Sequence, residues 1–208
     1  MYEPDRNPFS AKPFHSGLST RGMALAALFA VLTGVGANVR IPFPMVPLTL
    51  QTVFVLMAGL LLGPGRAALS MFLYMLLGLL GLPFFSGGGG IQSVLTPSFG
   101  FVVGFIPASW AVGRVLQMSG YAHEKAGLRL AALRVVACLV GIAIYDLVGV
   151  FWLYVNLNWI VGKEVSFLQT LGIGLFPFLI PDLIKLAGVI LLVSLAGRRI
   201  GLLTSFRR

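Results

Sequence analysis

The sequence has few charged residues and almost no cysteine or histidine. Charged side chains make up 10% of 208 residues, only 6 of them acidic, beside 1 cysteine and 2 histidines. The single cysteine, Cys138, excludes an internal disulfide and a cysteine metal cluster. His15 and His123 lie outside the apolar runs, and no HExxH or GxSxG pattern occurs. We therefore expect neither an enzyme nor a cofactor, although Asp146 and Asp182 could form a carboxylate pair.

The sequence also lacks a nucleotide-binding loop. Its one Gly-Lys step, Gly162-Lys163, is followed by Glu164 instead of the hydroxyl residue of the GxxxxGK[ST] pattern. If the protein transports a solute against a gradient, the energy has to come from an ion gradient or from a separate ATPase.

Hydrophobic residues are abundant and occur in long runs. They make up 58% of the chain, and the mean hydropathy is +0.96. Runs of about 20 apolar residues match the thickness of a bilayer core. The pattern predicts an all-α integral membrane protein, a single membrane domain over 1–208, with six transmembrane helices at 19–38, 48–63, 66–82, 97–118, 128–156 and 168–197. The polar arm at 1–18 is not expected to be a cleaved signal peptide.

The net charge of +9 reflects membrane orientation more than nucleic-acid binding. Basic residues precede helix one, follow helix six in the tail at 198–208, and occupy every second connection. The opposite side has only Arg40 and Lys163. By the positive-inside rule, both termini are predicted to be cytoplasmic.

Asp182 and Lys185 are the strongest candidates for a binding site. They interrupt the last apolar run, where an ionisable side chain costs roughly 2.5 to 3.5 kcal/mol, and their spacing puts them on one face of a helix. Pro181 predicts a kink or break just before them. Asp146 can reach a similar depth in helix five, where it could bind substrate, neutralise Lys185 or face water. The alternative is an ion pair that only stabilises the bundle.

Two connections on the predicted outer side could cover such a site. A stiff strap with three prolines runs from Arg40 to Pro47 and includes Phe43, with Gln51 shortly after it. The next outer connection carries Ser86 and a run of four glycines that includes Gly88. Either segment could instead be an ordinary surface loop or a flexible tether.

Helix one carries small residues at every fourth position, at Gly22, Ala26, Ala30 and Gly34. Such a stripe lets another helix approach closely. The partner helix could belong to this chain or to another protein.

Together, these segments resemble the biotin-specific substrate-binding components, or S components, of bacterial energy-coupling factor transporters. The resemblance covers most of the chain from helix one to helix six. Its residues are Val46-Pro-Leu-Thr-Leu-Gln-Thr52, Ala58-Gly-Leu-Leu-Leu-Gly-Pro64, Tyr74, Gly78-Leu-Leu-Gly-Leu-Pro83, the glycine run, Pro97, Gly100, Gly104-Phe105, Pro177-Phe178, Asp182 and Lys185. Two features depart from the family pattern: Pro97-Ser-Phe-Gly100 is a loose version of a Pro-Thr-Gly-Gly turn, and Asp146 replaces an uncharged residue.

The resemblance implies a six-helix S-component fold in the bacterial cell membrane that mediates biotin uptake. It implies a transmembrane coupling protein and two ATP-binding subunits as partners, with Ala26 and Ala30 as the docking face. The substrate-binding candidates are Asp182, Lys185, Asp146, Gln51, Tyr74, Phe43, Ser86 and Gly88. A proton-coupled secondary transporter of a small polar solute is the alternative function, and a purely structural membrane subunit is a third possibility.

Overall fold

The computed structural model describes residues 19–43, 45–119 and 127–200, with side chains up to residue 195. Predictions for the arm at 1–18, for Pro44, for His123 and for the side chains of the tail at 198–208 lie outside these residues. The described helices are α1 (Thr20–Asn38), α2 (Gln51–Leu62), α3 (Pro64–Leu79), α4 (Phe99–Met118), α5 (Leu128–Val155), α6 (Phe167–Gly174) and α7 (Phe176–Ile200). They form six spans, because α6 and α7 together make the sixth.

Four of these spans are long and apolar enough to cross a membrane, namely Thr20–Asn38, Phe99–Met118, Leu128–Ile160 and Phe167–Leu195. The helices α2 and α3 are apolar but shorter, with 12 and 16 residues. At about 1.5 Å per residue they reach only roughly 18 and 24 Å.

The turn between α2 and α3 follows from two adjacent residues. Gly63 ends α2 with a φ of 77°, a left-handed value that glycine adopts without steric cost. Pro64 then starts α3 at a position where the missing N–H is harmless. This pair reverses the chain without any intervening loop.

Helix α2 lies at the centre of the bundle and contacts α1, α3, α4, α5 and α7. Its side chains Val55, Leu56 and Ala58 are fully buried. Because α2 has no charged residue, it can be surrounded by other helices without an unpaired charge.

The strap before α2 is held by a short hairpin. Strand β1 (Arg40–Ile41) pairs antiparallel with β2 (Leu48–Thr49), so that Arg40 lies opposite Thr49. The predicted start of helix two at residue 48 was therefore too early, since residues 48 and 49 are in β2 and α2 begins at Gln51.

The interruption of the last span is not where Pro181 predicted it. Helix α7 continues through Pro181, and the chain leaves helical geometry at Leu175, with φ −121° and ψ −59°. Pro177 explains this position, because its ring crowds the carbonyl of residue 173 and it has no N–H to donate. Asp182 and Lys185 consequently lie within a continuous helix, although Pro181 removes one hydrogen bond from it.

Ala26 and Ala30, which were predicted to form a docking face, lie inside the bundle in the described structure. Both side chains are 0% exposed, because α1 packs against α2 and α3 through its small-residue stripe. Two glycines show how close the packing is: a Cβ at Gly22 would lie 2.7 Å from Arg66 Nε of α3, and a Cβ at Gly34 would lie 2.7 Å from the ring of Phe84 in the α3–α4 connection. The stripe therefore serves packing within this chain.

Candidate functional site

A cavity of about 690 Å³ lies between the two connections and the bundle. Its volume falls within the usual range for small-molecule sites, roughly 300 to 1,000 Å³. The lining comes from the strap, from the α3–α4 connection and from the facing sides of α2, α4, α5 and α7. Six of the eight predicted substrate-binding residues line it, namely Phe43, Gln51, Ser86, Asp146, Asp182 and Lys185.

The ion pair on α7 is part of a network with two other helices. Lys185 Nζ donates to Asp182 Oδ1 at 2.8 Å and to the hydroxyl of Thr52 at 3.2 Å. Tyr145 donates its hydroxyl to Asp182 Oδ2 at 2.8 Å. An ammonium group carries three protons, so Lys185 has one more to offer to a molecule in the cavity.

Asp146 differs from Asp182 because its buried Oδ1 has no hydrogen-bond partner among the described residues. The residue lines the cavity and is 6% exposed. Among the described residues, no donor reaches its Oδ1. Of the roles considered for Asp146, pairing with Lys185 is not observed, because Lys185 pairs with Asp182.

Gln51 lines the cavity with an amide that is already bonded on both sides. Its Nε2 donates to the hydroxyl of Tyr74, and its Oε1 accepts from Thr49 at 2.7 Å. Tyr74 itself is completely buried and does not line the cavity. It lies behind Gln51 and holds that side chain in place.

Aromatic rings form the apolar wall. Phe43 of the strap lies 6.2 Å from Phe178 of α7, measured between ring centroids. Phe101 lies 6.4 Å from Phe178, and Phe105 meets Tyr145 edge-on at 5.8 Å. Because Phe43 is 41% exposed, the strap places an aromatic ring at the rim of the cavity.

The glycine run builds the other part of the cover. Ser86, Gly87 and Gly89 line the cavity, whereas Gly88 does not. Gly88 exchanges two backbone hydrogen bonds with Phe85 and has a φ of 113°, a conformation that other residues rarely adopt. Its role is to make the turn that presents Ser86.

Sequence reasoning missed several lining residues. Tyr145 was not singled out from the sequence. It directly precedes the intramembrane carboxylate Asp146, and this position of a hydroxyl group could have identified it as a candidate. Phe105 was identified only as part of the motif Gly104-Phe105. Phe101 and Gln92 carried no signal, because apolar helix residues are common throughout the chain and Gln92 lies in a short 3-10 helix at Ile91–Leu95.

Comparisons with known proteins agree with each other. The sequence model of the BioY family matches residues 9–201. A "Probable biotin transporter BioY" of Lysinibacillus sphaericus is 38% identical over 164 residues, 79% of this chain and 80% of that protein. A protein of the same description from Pyrococcus horikoshii is 34% identical over 178 residues, 85% of this chain and 96% of that protein.

A solved structure is also similar. It is the crystal structure of the S-component for biotin from an ECF-type ABC transporter. The TM-score is 0.74 at 25% sequence identity, and the match covers 86% of this chain and 92% of the other. The relationship therefore extends over nearly the whole helical bundle.

Proposed function

The chain belongs to the BioY family, and from this premise we propose that it is the biotin-binding S component of an energy-coupling factor transporter. The observation that carries the proposal is the cavity itself. Its lining combines the polar side chains of Asp146, Asp182 and Lys185 with aromatic rings, and Lys185 uses only two of its three protons in hydrogen bonds to Asp182 and Thr52.

Biotin has the matching chemistry. Its fused ring contains a cyclic urea with one carbonyl acceptor and two N–H donors, and its thioether and alkyl chain are apolar. The urea suits the polar end around Asp182 and Lys185, and the apolar parts suit the phenylalanine wall. The carboxylate of the tail would then lie near the rim, where Arg40 is also a lining residue.

The orientation of the cavity favours uptake from outside. Both the α1–α2 and the α3–α4 connections line it, so they lie on the same face of the bundle. Among the described residues, the opposite face has Arg66 at the start of α3, Arg114 near the end of α4, and Arg129 and Arg134 near the start of α5. By the positive-inside rule, the cavity faces outward.

We further propose that a transmembrane coupling protein and two ATP-binding subunits drive the transport. The support is the similarity to an S component and the lack of a phosphate-binding loop in the sequence. Ala26 and Ala30 remain the proposed docking residues, and because both are buried in the chain alone, docking through them would require α1 to shift.

Titration of the purified chain with biotin tests the proposal, with uptake into liposomes as the second measurement. We expect saturable binding without accumulation by the chain alone, and ATP-dependent uptake once the partner subunits are added. Accumulation by the chain alone that collapses with the proton gradient would support the secondary-transporter alternative instead. Absence of binding would refute the biotin assignment.

A further inference from the structure

The last part of the α3–α4 connection forms one side of the cavity although none of its residues is buried. We call residues 91–98 the wall segment; it contains the 3-10 helix Ile91–Leu95 and leads directly into α4. The wall segment lines the cavity with Gln92, Ser93, Thr96, Pro97 and Ser98. Because burial of apolar side chains is the main force that holds a segment in place, the wall segment needs additional support.

Hydrogen bonds from α5 give this support. Within the wall segment the bonds are local: Ser93 N donates to the carbonyl of Gly90 at 3.0 Å, and Thr96 N donates to the carbonyl of Ser93 at 3.1 Å. Two side chains reach it from far along the sequence. Trp152 Nε1 donates to the carbonyl of Thr96 at 3.0 Å, and Asn156 Nδ2 donates to the carbonyl of Leu95 at 2.8 Å.

Both donors belong to a firmly packed part of the bundle. Trp152 and Asn156 are four residues apart and therefore share a helix face. The ring of Trp152 meets Phe99 edge-on at 6.4 Å, and Gly100 has no room for a Cβ against Trp152. Asn156 is 0% exposed and begins the π-helical turn Asn156–Ile160, a kind of turn that is frequent at functional sites. The end of α5 is thus a fixed support for a segment that has little burial of its own.

We propose that Trp152 and Asn156 are positioning residues of the binding site, because they hold the carbonyls of Thr96 and Leu95 and thereby keep the wall segment against the cavity. This role rests on the proposed function. Neither side chain lines the cavity, so both act through the wall segment and not by touching the ligand. Displacement of the wall segment opens the cavity, so the two hydrogen bonds slow the dissociation of biotin more than they change its association.

The double variant Trp152→Phe with Asn156→Leu tests this role, since it removes both donors and retains an aromatic ring and a branched side chain. It also removes Asn156 Oδ1, which is buried without a partner among the described residues, and this offsets part of the lost bonding. We therefore expect thermal unfolding close to that of the parent. Biotin should dissociate at least about fivefold faster, because two ordinary hydrogen bonds are lost.

Hydrogen exchange of the ligand-free protein supplies a readout that a general loss of stability would not reproduce. Exchange in residues 90–99 should become faster in the double variant, while exchange in the buried helix α2 stays as in the parent. Unchanged exchange in residues 90–99, or biotin dissociation within about twofold of the parent rate, would overturn the proposal. If the double variant does not fold, Trp152→Phe alone is judged by the direction of the same two measurements.

Asn158→Leu with Trp159→Phe is the matched control, with the same two exchanges of residue type in the adjoining π-helical turn. Asn158 Nδ2 donates to the carbonyls of Tyr154 at 2.9 Å and Val165 at 3.2 Å, so it holds the α5–α6 connection, and Trp159 is 78% exposed. Neither residue lines the cavity or contacts the wall segment by a hydrogen bond in the described structure. The control should keep the parent's exchange in residues 90–99 and its biotin dissociation rate.

Equal acceleration of dissociation in the control and in the double variant would assign the effect to a general loosening of the end of α5 and would refute the proposal. A parent protein that does not bind biotin would refute the proposed function instead. The exchange measurement needs no ligand, so it would still decide whether Trp152 and Asn156 hold the wall segment.

Discussion

Separate and joint replacement of Asp182 and Lys185 can distinguish a binding role from a purely structural ion pair. The side chains are 5% and 12% exposed, and their charged atoms lie 2.8 Å apart. Removing one partner of a buried pair leaves an uncompensated charge, which costs about 3 to 5 kcal/mol of stability. We expect Lys185→Gln to be the more damaging single change, because it leaves two carboxylates in one cavity, whereas after Asp182→Asn the carboxylate of Asp146 can partly compensate Lys185.

The double variant Asp182→Asn with Lys185→Gln removes both charges and keeps the side-chain shapes. Its thermal stability in detergent should lie close to that of the parent and above that of the Lys185→Gln variant. Biotin affinity should nevertheless fall at least about tenfold, because a charge-assisted hydrogen bond contributes roughly 1.5 to 3 kcal/mol.

Thermal unfolding and calorimetric titration of the same samples measure both effects. A folded double variant that binds biotin within about twofold of the parent would show that the pair is only structural. A double variant less stable than both single variants would contradict the charge argument itself.

Three further predictions concern packing and the cover of the cavity. Ala26→Leu should lower stability by about 1 to 3 kcal/mol in the isolated chain, as overpacking does; unchanged thermal unfolding would contradict its burial. Gly104→Ala should weaken both stability and biotin binding, because a Cβ there would lie 2.9 Å from Cα of Tyr145. Gly188→Ala is the control and should weaken neither, because open space surrounds that position. Equal effects of the two substitutions would count against this contact. Hydrogen exchange in segments 40–52 and 84–92 should slow when biotin saturates the protein, and unchanged exchange would remove these connections from the binding site.

The six spans, their alternating orientation and the candidate pair at Asp182 and Lys185 could all be predicted from sequence. Membrane insertion depends on hydrophobicity summed over a local run, and a charged residue inside such a run is visible without knowledge of its neighbours. The family resemblance rested on ordered motifs that are equally local. These features therefore required no tertiary contact.

Which face of a helix is buried depended on the tertiary structure. The stripe with Ala26 and Ala30 permits close approach of any helix, and only the packing of α1 on α2 and α3 shows which helices use it. Similarly, Pro177 and Pro181 are both able to interrupt a helix, and the chain breaks at Leu175, ahead of the first of them.

The hydrogen-bond state of the site also came only from the fold. Lys185 bonds to Thr52, 133 residues earlier in the chain, and Tyr145 bonds to Asp182, 37 residues away. A side chain's chemistry states what it can donate or accept, but its partner is set by distant segments that the fold brings together. For this reason the sequence could present Asp146 and Asp182 as two candidates, whereas the three-dimensional arrangement distinguishes the carboxylate with an unpaired oxygen from the one that is already satisfied.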